Sequence, residues 1–407
     1  MKKTKRQRDV PAIRFPGFTD SWEQRKLGEV AEFNPKCSLP EVFKYVDLES
    51  VVGTEMINEK ITSKAEAPSR AQRLAQIGDL FFQTVRPYQK NNYLFEKTDK
   101  EYVFSTGYAQ LRPRINGYFL LTSVQTEVFV KAVLNRCTGT SYTSINSSDL
   151  SELKICIPMN NEESVVVGNY FRSIDNLITL QERKCRVLRE LKKCMLQKMF
   201  PKNGSDIPEI RFPGFTDSWE QRKLLDYADF YSGNGLSWND ISDDGQEECI
   251  LYGNLYTEYG MIADKIVYRT NATIKNPVYS KFGDVLIPAS DTTPTGLARA
   301  TSIEKSGVLL GGDINIVRPK DKINGSCLSL AINANKKELI KFIKGTSVRH
   351  IHNADIKTIE IPMPQNNAEQ EKLVNYFKNL DNLITLQERK CKVLRELKKC
   401  MLQKMFV

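Results

Sequence analysis

A polar stretch after Gly78-Asp79 carries side chains that could read the edges of nucleic-acid bases. An arginine can donate two hydrogen bonds to guanine, and a glutamine or asparagine can pair with adenine in the major groove of DNA. The candidate residues in this stretch are Gln83, Thr84, Arg86, Tyr88, Gln89, Lys90 and Asn91. The alternative is a solvated surface loop, because loops are rich in the same residue types.

The Gly-Asp pair recurs as Gly283-Asp284, and the loop after it has a different chemistry. Hydroxyl groups, one carboxylate and one arginine replace the amides and the tyrosine. The candidate residues in this loop are Ser290, Asp291, Thr292, Thr293 and Arg299. Unlike loops at matching positions predict two binding sites of one kind that select different targets.

Two further pairs of segments also match between the halves. A Gly-Thr-Ser sequence occurs at 139–141 and at 345–347. The candidates are Tyr142, Thr143 and Ser144 after the first copy, Arg349 and His350 after the second, and, nearer the start of each half, Lys44 and Tyr45 matched by Tyr252 and Asn254. Both histidines, His350 and His352, lie without a nearby cysteine or carboxylate pair, so a phosphate or base contact is expected rather than a metal site.

Motifs of DNA-modifying enzymes are missing from the sequence. It has no Asn-Pro-Pro-Tyr-like methyltransferase motif, no Gly-x-x-x-x-Gly-Lys phosphate loop and no nuclease-like acidic cluster. The nine cysteines include no Cys-x-x-Cys pair, which argues against a zinc knuckle or a disulfide framework and favours a reducing compartment. A self-contained modifying enzyme is therefore disfavoured, and no catalytic residue and no metal site are expected in this chain.

The charge and hydropathy pattern narrows the class of protein further. The formal net charge is +10, which favours a nucleic-acid partner, and the surplus lies on repeated segments rather than on the stretches between them. No run approaches the roughly 18 apolar residues of a membrane span. The basic residues 1–11 are not followed by an apolar segment. These observations predict a cytoplasmic protein without a membrane partner.

Two sequence blocks occur twice and divide the chain into matching halves. Ile13–Leu27 returns unchanged at Ile210–Leu224, and Asn176–Phe200 returns at Asn382–Phe406 with one Arg-to-Lys change. The cores between the blocks, 28–158 and 225–364, differ from each other. Near-identical frames suit two copies of one partner, whereas unlike cores suit two different targets.

The second block has the periodicity of a long amphipathic helix. Apolar residues recur at three- and four-residue steps in two neighbouring rows, and polar start signals and Pro201 bound the segment. We predict helices over 162–200 and 369–406 that pair antiparallel. The residues predicted to dock other subunits are Trp22, Leu177, Leu191, Trp219, Leu383 and Leu397. Alternatively, both apolar rows pack only against the chain's own domains.

The cores alternate short strands with amphipathic helices, so the predicted fold class is α/β, with two mixed α/β domains in a pseudo-two-fold tandem repeat joined by two long antiparallel coiled-coil helices. The predicted strands include 79–85, 102–105, 155–157, 284–288 and 359–361, and the predicted core helices are 120–137 and 328–344. The predicted domains are a first recognition domain at 1–158, a first long helix and linker at 159–207, a second recognition domain at 208–364 and a second long helix at 365–407.

This order of features resembles the specificity subunit of type I restriction-modification enzymes. The resemblance rests on the duplicated architecture, the Gly-Asp pair before a strand, the Gly-Thr-Ser segment before an Ile-Pro-rich strand end, and the Asp-Asn-Leu-Ile sequence at the start of the second block. It covers essentially the whole chain. In that family each variable core is a target recognition domain that reads one half of a split DNA sequence, and the repeated helices form a spacer that docks the modification subunits.

The resemblance also implies a set of partners. These are double-stranded DNA, two methyltransferase subunits and two ATP-driven nuclease-translocase subunits. No cofactor is expected in this chain, and S-adenosylmethionine, ATP and Mg are expected on the partner subunits. The main alternative is a duplicated coiled-coil adaptor that binds proteins only and has no DNA specificity.

Overall fold

The computed structural model describes residues 10–99, 101–139, 143–202 and 205–407. The chain divides into two compact units. Unit 1 is drawn from residues 1–182 and 388–407, and unit 2 comprises residues 183–387. Each unit therefore contains one variable core together with part of each long repeated helix.

Unit 1 combines mixed sheets with short helices. Its strands are β1 (Trp22–Lys26), β2 (Ala31–Phe33), β3 (Val42–Val46), β4 (Val51–Val52), β5 (Glu55–Met56), β6 (Lys60–Ser63), β7 (Ala71–Leu74), β8 (Leu80–Gln83), β9 (Tyr93–Leu94), β10 (Tyr102–Ser105), β11 (Tyr108–Pro113) and β12 (Lys154–Pro158). Its helices are α1 (Leu27–Val30), α2 (Gly117–Val124), α3 (Glu127–Leu134), α4 (Ser147–Ser151) and the first part of α5 (Asn161–Lys198).

Strand β8 lies at the centre of the unit 1 core. The sheet β2-β11-β8-β9 contains it, and a second sheet has the order β6-β3-β10-β7. Successive side chains of a strand point to opposite faces, and both faces of β8 are covered. Phe82 packs with Phe129 of α3, whereas Phe81 stacks on Phe104 of β10. This double burial explains why β8 reads as a continuous apolar run.

Unit 2 repeats this plan. Its strands are β13 (Glu220–Lys223), β14 (Ala228–Ser232), β15 (Glu247–Ile250), β16 (Ile262–Ala263), β17 (Tyr268–Thr270), β18 (Val285–Pro288), β19 (Ser290–Asp291), β20 (Thr301–Ile303), β21 (Leu309–Leu310), β22 (Ile314–Pro319), β23 (Arg349–His350) and β24 (Glu360–Met363). Its helices are the last part of α5, α6 (Leu224–Tyr227), α7 (Asn254–Thr257), α8 (Pro294–Leu297), α9 (Gly325–Ala334), α10 (Lys336–Ile340), α11 (Asn353–Ile356) and the first part of α12 (Asn367–Met405).

The central sheet of unit 2 has the order β14-β22-β18-β20-β16. Val285 and Ile287 of β18 belong to the main apolar cluster, which includes α9, and Leu286 between them belongs to a separate cluster. Strand β18 is therefore buried on both faces, like β8.

The repeated Gly-Asp and Arg-Pro landmarks have a structural role. The Asp79 carboxylate is buried and accepts two hydrogen bonds from the Arg112 guanidinium, at 2.9 and 3.1 Å. Asp284 and Arg318 form the same pair at 2.8 and 2.7 Å. Bidentate charge-assisted bonds of this kind fix a side chain in one orientation. The landmarks therefore fix the start of the buried strand in each unit.

The first repeated block closes each core. Strand β1 pairs antiparallel with β12, and β13 pairs in the same way with β24. Trp22 is 4% exposed and packs edge-on against Phe406, while Trp219 is 3% exposed and packs edge-on against Phe200. The predicted docking role of the two tryptophans is therefore corrected, because a side chain buried in its own core offers no surface to another subunit.

Long helices α5 and α12 have bounds close to those expected from the sequence. Within unit 1 their segments run antiparallel, because Asp175 pairs with Lys398 at 2.6 Å and Glu182 pairs with Arg395. Within unit 2 the equivalent pair joins Lys192 to Asp381 at 2.5 Å.

One apolar row of each long helix is buried and the other is exposed. On α5 the buried row includes Ile174, Cys185 and Met199. The exposed row comprises Leu177, Leu180, Val187 and Leu191 on α5, and its copy comprises Leu383, Leu386, Val393 and Leu397 on α12. The exposed fractions of these eight side chains range from 37% to 61%. We call these residues the exposed row.

The core helices differ from the sequence prediction. The segment 120–137 forms α2 and α3 rather than one helix, and 328–344 is divided between α9, α10 and a turn. Thr126 interrupts the first segment because its hydroxyl accepts the Phe129 amide hydrogen and starts a new helix. Asn335 interrupts the second because its backbone angles, φ −105° and ψ 27°, are not helical, and its side-chain amide donates to the Ala331 carbonyl.

Candidate nucleic-acid interface

Two of the predicted segments of unit 1 meet at the end of β8. Val85 and Ser144 form an antiparallel bridge, and the Arg86 amide donates to the Thr143 carbonyl at 2.8 Å. Ser144 also bridges to Thr138. Tyr142 lies outside the described residues. The polar loop after Gly78-Asp79 and the segment after the first Gly-Thr-Ser sequence therefore form one surface.

Unit 2 has the same pairing at the equivalent positions. Ser290 of β19 pairs with His350 of β23, and Asp291 pairs with Arg349. His350 also bridges to Lys344, as Ser144 does to Thr138 in unit 1. The two units thus build the same backbone scaffold but place different side chains on it.

A tight turn displays Tyr88 and Gln89 in unit 1. Arg86 and Lys90 flank the 3-10 turn Pro87–Gln89 and both have left-handed backbone angles, φ 53° and 57°. Such angles are strained for residues other than glycine and need support from their surroundings. The Lys90 ammonium supplies support by bonding Glu127 at 2.6 Å and the Gln125 carbonyl at 3.1 Å. Tyr88 is 52% exposed at the tip.

Several predicted contact residues of unit 1 point inwards. Gln83 is buried and donates its amide to the Val85 carbonyl and to Gln89, and the Thr84 hydroxyl donates to the Gly107 carbonyl. Tyr45 lies in a small apolar cluster. These three side chains are supporting residues rather than contact residues, because they are buried within the unit, and the local sequence does not show this burial.

Lys44 is held in an ionic cluster of unit 1. Its ammonium bonds Asp99 at 2.8 Å, Glu59 at 2.6 Å and the Tyr102 hydroxyl at 3.0 Å. These bonds raise the pKa of Lys44 and lower those of the two carboxyl groups. The predicted DNA contact of Lys44 is therefore corrected. Its ammonium already donates to three groups of the same unit, so Lys44 stabilises the unit instead.

The third predicted segment of unit 2 supports the paired strands. The Tyr256 hydroxyl donates to the Ser290 carbonyl at 2.7 Å, and the Arg299 guanidinium lies 5.5 Å from the centre of the Tyr256 ring. Tyr252 packs edge-on against Tyr256 and is 40% exposed. Burial lowers the pKa of Arg299. Aromatic and cationic groups therefore lie directly beside β19.

Two predicted residues of unit 2 are buried. Asn254 accepts the Leu251 amide hydrogen through its side chain, and the Ser290 hydroxyl donates to Asp313 at 3.2 Å. Both predictions are corrected, because Asn254 is 0% exposed and Ser290 is 8% exposed. Asp313 is a supporting residue that the sequence did not single out. Its left-handed backbone, φ 58°, directly follows Gly311-Gly312, a turn signal in the sequence that could have identified this position.

Asp291 lies at the start of a tight turn in unit 2. Its carboxylate accepts the Thr292 amide hydrogen at 2.5 Å and the Thr293 hydroxyl at 3.3 Å. A Cβ atom at Gly296 would lie 1.4 Å from this carboxylate, so a larger residue there would displace the Asp291 side chain. Thr292, Thr293 and His350 are exposed, and Arg349 is half-buried. The surface of unit 2 thus offers a carboxylate, hydroxyls, a guanidinium and an imidazole.

The described residues contain neither a cluster of metal ligands nor a membrane-spanning helix. Outside the gaps at 1–9, 100, 140–142 and 203–204, no group of three or more His, Cys, Asp or Glu side chains could hold a metal ion. Within the same ranges, no helix combines the length and the apolar character that crossing a membrane requires.

A pair of matching scaffolds with unlike polar side chains is typical of a protein that selects two related targets. The chain matches the family model described as the type I restriction modification DNA specificity domain over residues 19–190 and again over 216–396. The chain therefore belongs to this family. It is a specificity subunit, a non-catalytic component with two DNA-recognition domains, and a protein-only adaptor is not favoured.

Curated and solved relatives are similar to almost the full chain. The MjaVIII specificity subunit of a type I restriction enzyme from Methanocaldococcus jannaschii is 22% identical, over 96% of this chain and 93% of its own length. The type I restriction-modification S subunit structure from M. genitalium has a TM-score of 0.63 at 13% identity, over 98% and 99% of the two chains. A chain from a study of type I restriction-modification complex assembly has a TM-score of 0.55 at 22% identity, over 97% and 98%. The two structures show a shared fold.

Proposed function

We propose that each unit reads one half of a bipartite DNA target through the surface at the end of its central buried strand. The observation that carries this is the repeated pairing, Val85 with Ser144 and Ser290 with His350, which displays unlike side chains on one scaffold. Base edges in the major groove carry a distinct donor and acceptor pattern, so unlike side chains read different sequences.

The proposed contacts follow from the chemistry of each surface. In unit 1 the residues are Arg86, Tyr88, Gln89, Lys90, Asn91, Tyr142, Thr143 and Ser144. In unit 2 they are Tyr252, Asp291, Thr292, Thr293, Arg299, Arg349 and His350. Arginine suits guanine, an amide suits adenine, and a carboxylate such as Asp291 accepts from the amino group of cytosine. The hydroxyls suit phosphates, and the His350 imidazole is assigned to a base edge of the second half-site.

The exposed row is the proposed docking surface for methyltransferase subunits. Leu177 and Leu383 occupy the same position in the two copies, as do Leu191 and Leu397, so identical surfaces are available twice. This duplication favours two methyltransferase subunits per chain and, for cleavage, two nuclease-translocase subunits. S-adenosylmethionine, ATP and Mg are assigned to those partners, and the complex is assigned to the cytoplasm.

Helix length is the proposed determinant of the spacing between half-sites. Rigid connections favour half-sites about one helical turn apart on one face of the DNA. Lengthening both α5 and α12 by the same whole number of turns is then expected to widen the gap between the half-sites. The bases read in each half are expected to stay the same.

A methylome comparison tests the proposed function. Cells with this chain are expected to methylate a split sequence that stays unmethylated in cells lacking only this chain. Binding of the assembled complex to that sequence is expected to weaken steeply as salt rises, because phosphate contacts release counterions. Identical methylomes, or binding without sequence preference or salt dependence, would support the adaptor instead.

A further inference from the structure

Trp238 exposes its indole on unit 2 close to the proposed reading surface. It is 56% exposed, whereas Trp22 and Trp219 are 4% and 3% exposed. Tryptophan buries a large area on contact, and it is enriched among residues that dominate binding energy. The exposed indole of Trp238 is therefore a candidate binding residue.

The local structure fixes the backbone at Trp238 and supports one edge of its indole. It begins the 3-10 turn Trp238–Asp240, and the Asp240 carboxylate accepts both the Ser237 amide hydrogen and the Ser237 hydroxyl, at 2.6 and 2.8 Å. Tyr268 packs edge-on against the indole at 5.4 Å. A pre-oriented ring loses little entropy when it binds, so this geometry suits a contact residue.

Trp238 is continuous with the reading surface. A side chain at Gly253 would lie 3.6 Å from the indole nitrogen, and Gly253 directly follows Tyr252 in the chain. Tyr252 contacts Tyr256 at 6.4 Å between ring centres, and the Tyr256 hydroxyl donates to the Ser290 carbonyl of β19. We call Trp238, Tyr252 and Tyr256 the aromatic strip.

We propose that the aromatic strip binds the target DNA beside the second half-site, with the indole of Trp238 packed against deoxyribose sugars of the duplex backbone. This inference rests on the proposed function and adds an uncharged contact to it. Deoxyribose is the same at every base pair, so a contact with sugars adds affinity without adding sequence choice. Because the other two tryptophans are buried, this contact is specific to the second half.

The test uses the complex of the full chain with its methyltransferase subunits and a labelled duplex carrying the methylated target. Trp238→Ala is expected to raise the Kd measured by fluorescence anisotropy about tenfold. Trp238→Phe is expected to restore most of the affinity. The matched control is Phe282→Ala, which removes a 69% exposed aromatic ring preceding β18, at the end of that strand away from β19.

Truncated duplexes assign the contact to one half. The loss of affinity caused by Trp238→Ala is expected to persist when the first half-site and its flanking pairs are removed from the duplex. It is expected to vanish when the second half-site and its flanking pairs are removed. A penalty that follows the first half-site would overturn the inference. So would binding of the Trp238→Ala complex within about twofold of the unchanged complex.

Two other outcomes have separate meanings. If Trp238→Ala leaves DNA affinity intact but lowers the amount of methyltransferase bound in native mass spectrometry, the strip contacts protein and the inference is wrong. If no bipartite methylated target exists, the proposed function itself fails. The inference alone fails when that target exists and is bound equally well without the indole.

Discussion

At the scale of single residues, the two units place different side chains on equivalent backbone positions. Val85 and Ser144 of unit 1 correspond to Ser290 and His350 of unit 2. Because the pairing is made by the backbone, side chains can change without loss of the scaffold. This separation allows each unit to have its own specificity.

The exposed candidates Tyr88 and His350 are expected to act on opposite halves of the target. Tyr88→Ala is expected to weaken binding about tenfold on the intact target and to have no further effect once the first half-site is scrambled. His350→Ala is expected to show the mirror pattern for the second half-site. Fluorescence anisotropy measures both effects with three duplexes: the intact target, the target with the first half-site scrambled and the target with the second half-site scrambled.

Val128→Ala is the control for Tyr88→Ala. Val128 is 71% exposed on α3 of the same unit, and exposed substitutions of this kind change stability little. If Tyr88→Ala and His350→Ala weaken binding to the same duplexes, the two residues do not read separate half-sites.

At the scale of elements, the long helices divide their apolar residues between two roles. The buried row packs within the units, and the exposed row leaves apolar side chains on the surface. Exposed contiguous apolar surface marks interaction sites. Because the copies on α5 and α12 are nearly identical, any partner that binds one copy can bind the other.

A charge in the exposed row is expected to block methyltransferase docking. Leu177→Glu is expected to remove one methyltransferase subunit from the complex, and Leu177→Glu with Leu383→Glu is expected to remove both. A buried carboxylate in an apolar interface is costly, whereas the exposed helix of the free chain tolerates it. Native mass spectrometry counts the subunits.

Gln197→Glu with Gln403→Glu is the matched control for the docking experiment. Both glutamines are exposed on the same helices, and helical periodicity places them on a face other than that of Leu177 and Leu383. Unchanged stoichiometry in the leucine variants would show that the exposed row is not the docking surface.

The ion pair between Lys192 and Asp381 is expected to stabilise the pairing of the long helices in unit 2, and swapping the two charges tests this. Lys192→Asp places two carboxylates together and is expected to lower the free energy of unfolding by about 1 kcal/mol. Lys192→Asp combined with Asp381→Lys is expected to recover most of that loss. Hydrogen exchange of α5 residues 183–198 measures this change in the free energy of unfolding. If the double variant recovers none of the loss, the ion pair contributes nothing to stability.

At the scale of the whole molecule, the chain contains two copies of the same repeated blocks, and each copy flanks a different variable core. The family match covers both halves separately, 19–190 and 216–396. Each unit has its own apolar clusters and its own pairing of the two polar segments. This organisation favours independent reading by the two units.

Exchange of residues 28–158 for the core of another specificity subunit is expected to change one half of the methylated motif only. The reason is that the contacts proposed for the first half all lie within that range. Sequencing of methylated bases before and after the exchange gives the answer. A change in both halves would contradict independent reading, and the reverse exchange of 225–364 is the internal control.

The sequence by itself determined the duplicated order of repeated blocks and variable cores, the two long helices and the family. Identical blocks can be recognised without structure, and the periodicity of Asn176–Phe200 gives a long helix because side chains at three- and four-residue steps share one face. The strands at 102–105 and 284–288 followed from short apolar runs between turns. These signals are local, so they survive in a single sequence.

Only the tertiary structure decided which polar residues face outwards and which meet. Gln83 and Asn254 are polar yet buried, and Trp22 is buried by Phe406 from the far end of the chain. The pairing of Val85 with Ser144 joins segments distant in sequence. Burial and pairing depend on contacts between remote residues, and local periodicity carries no information about them.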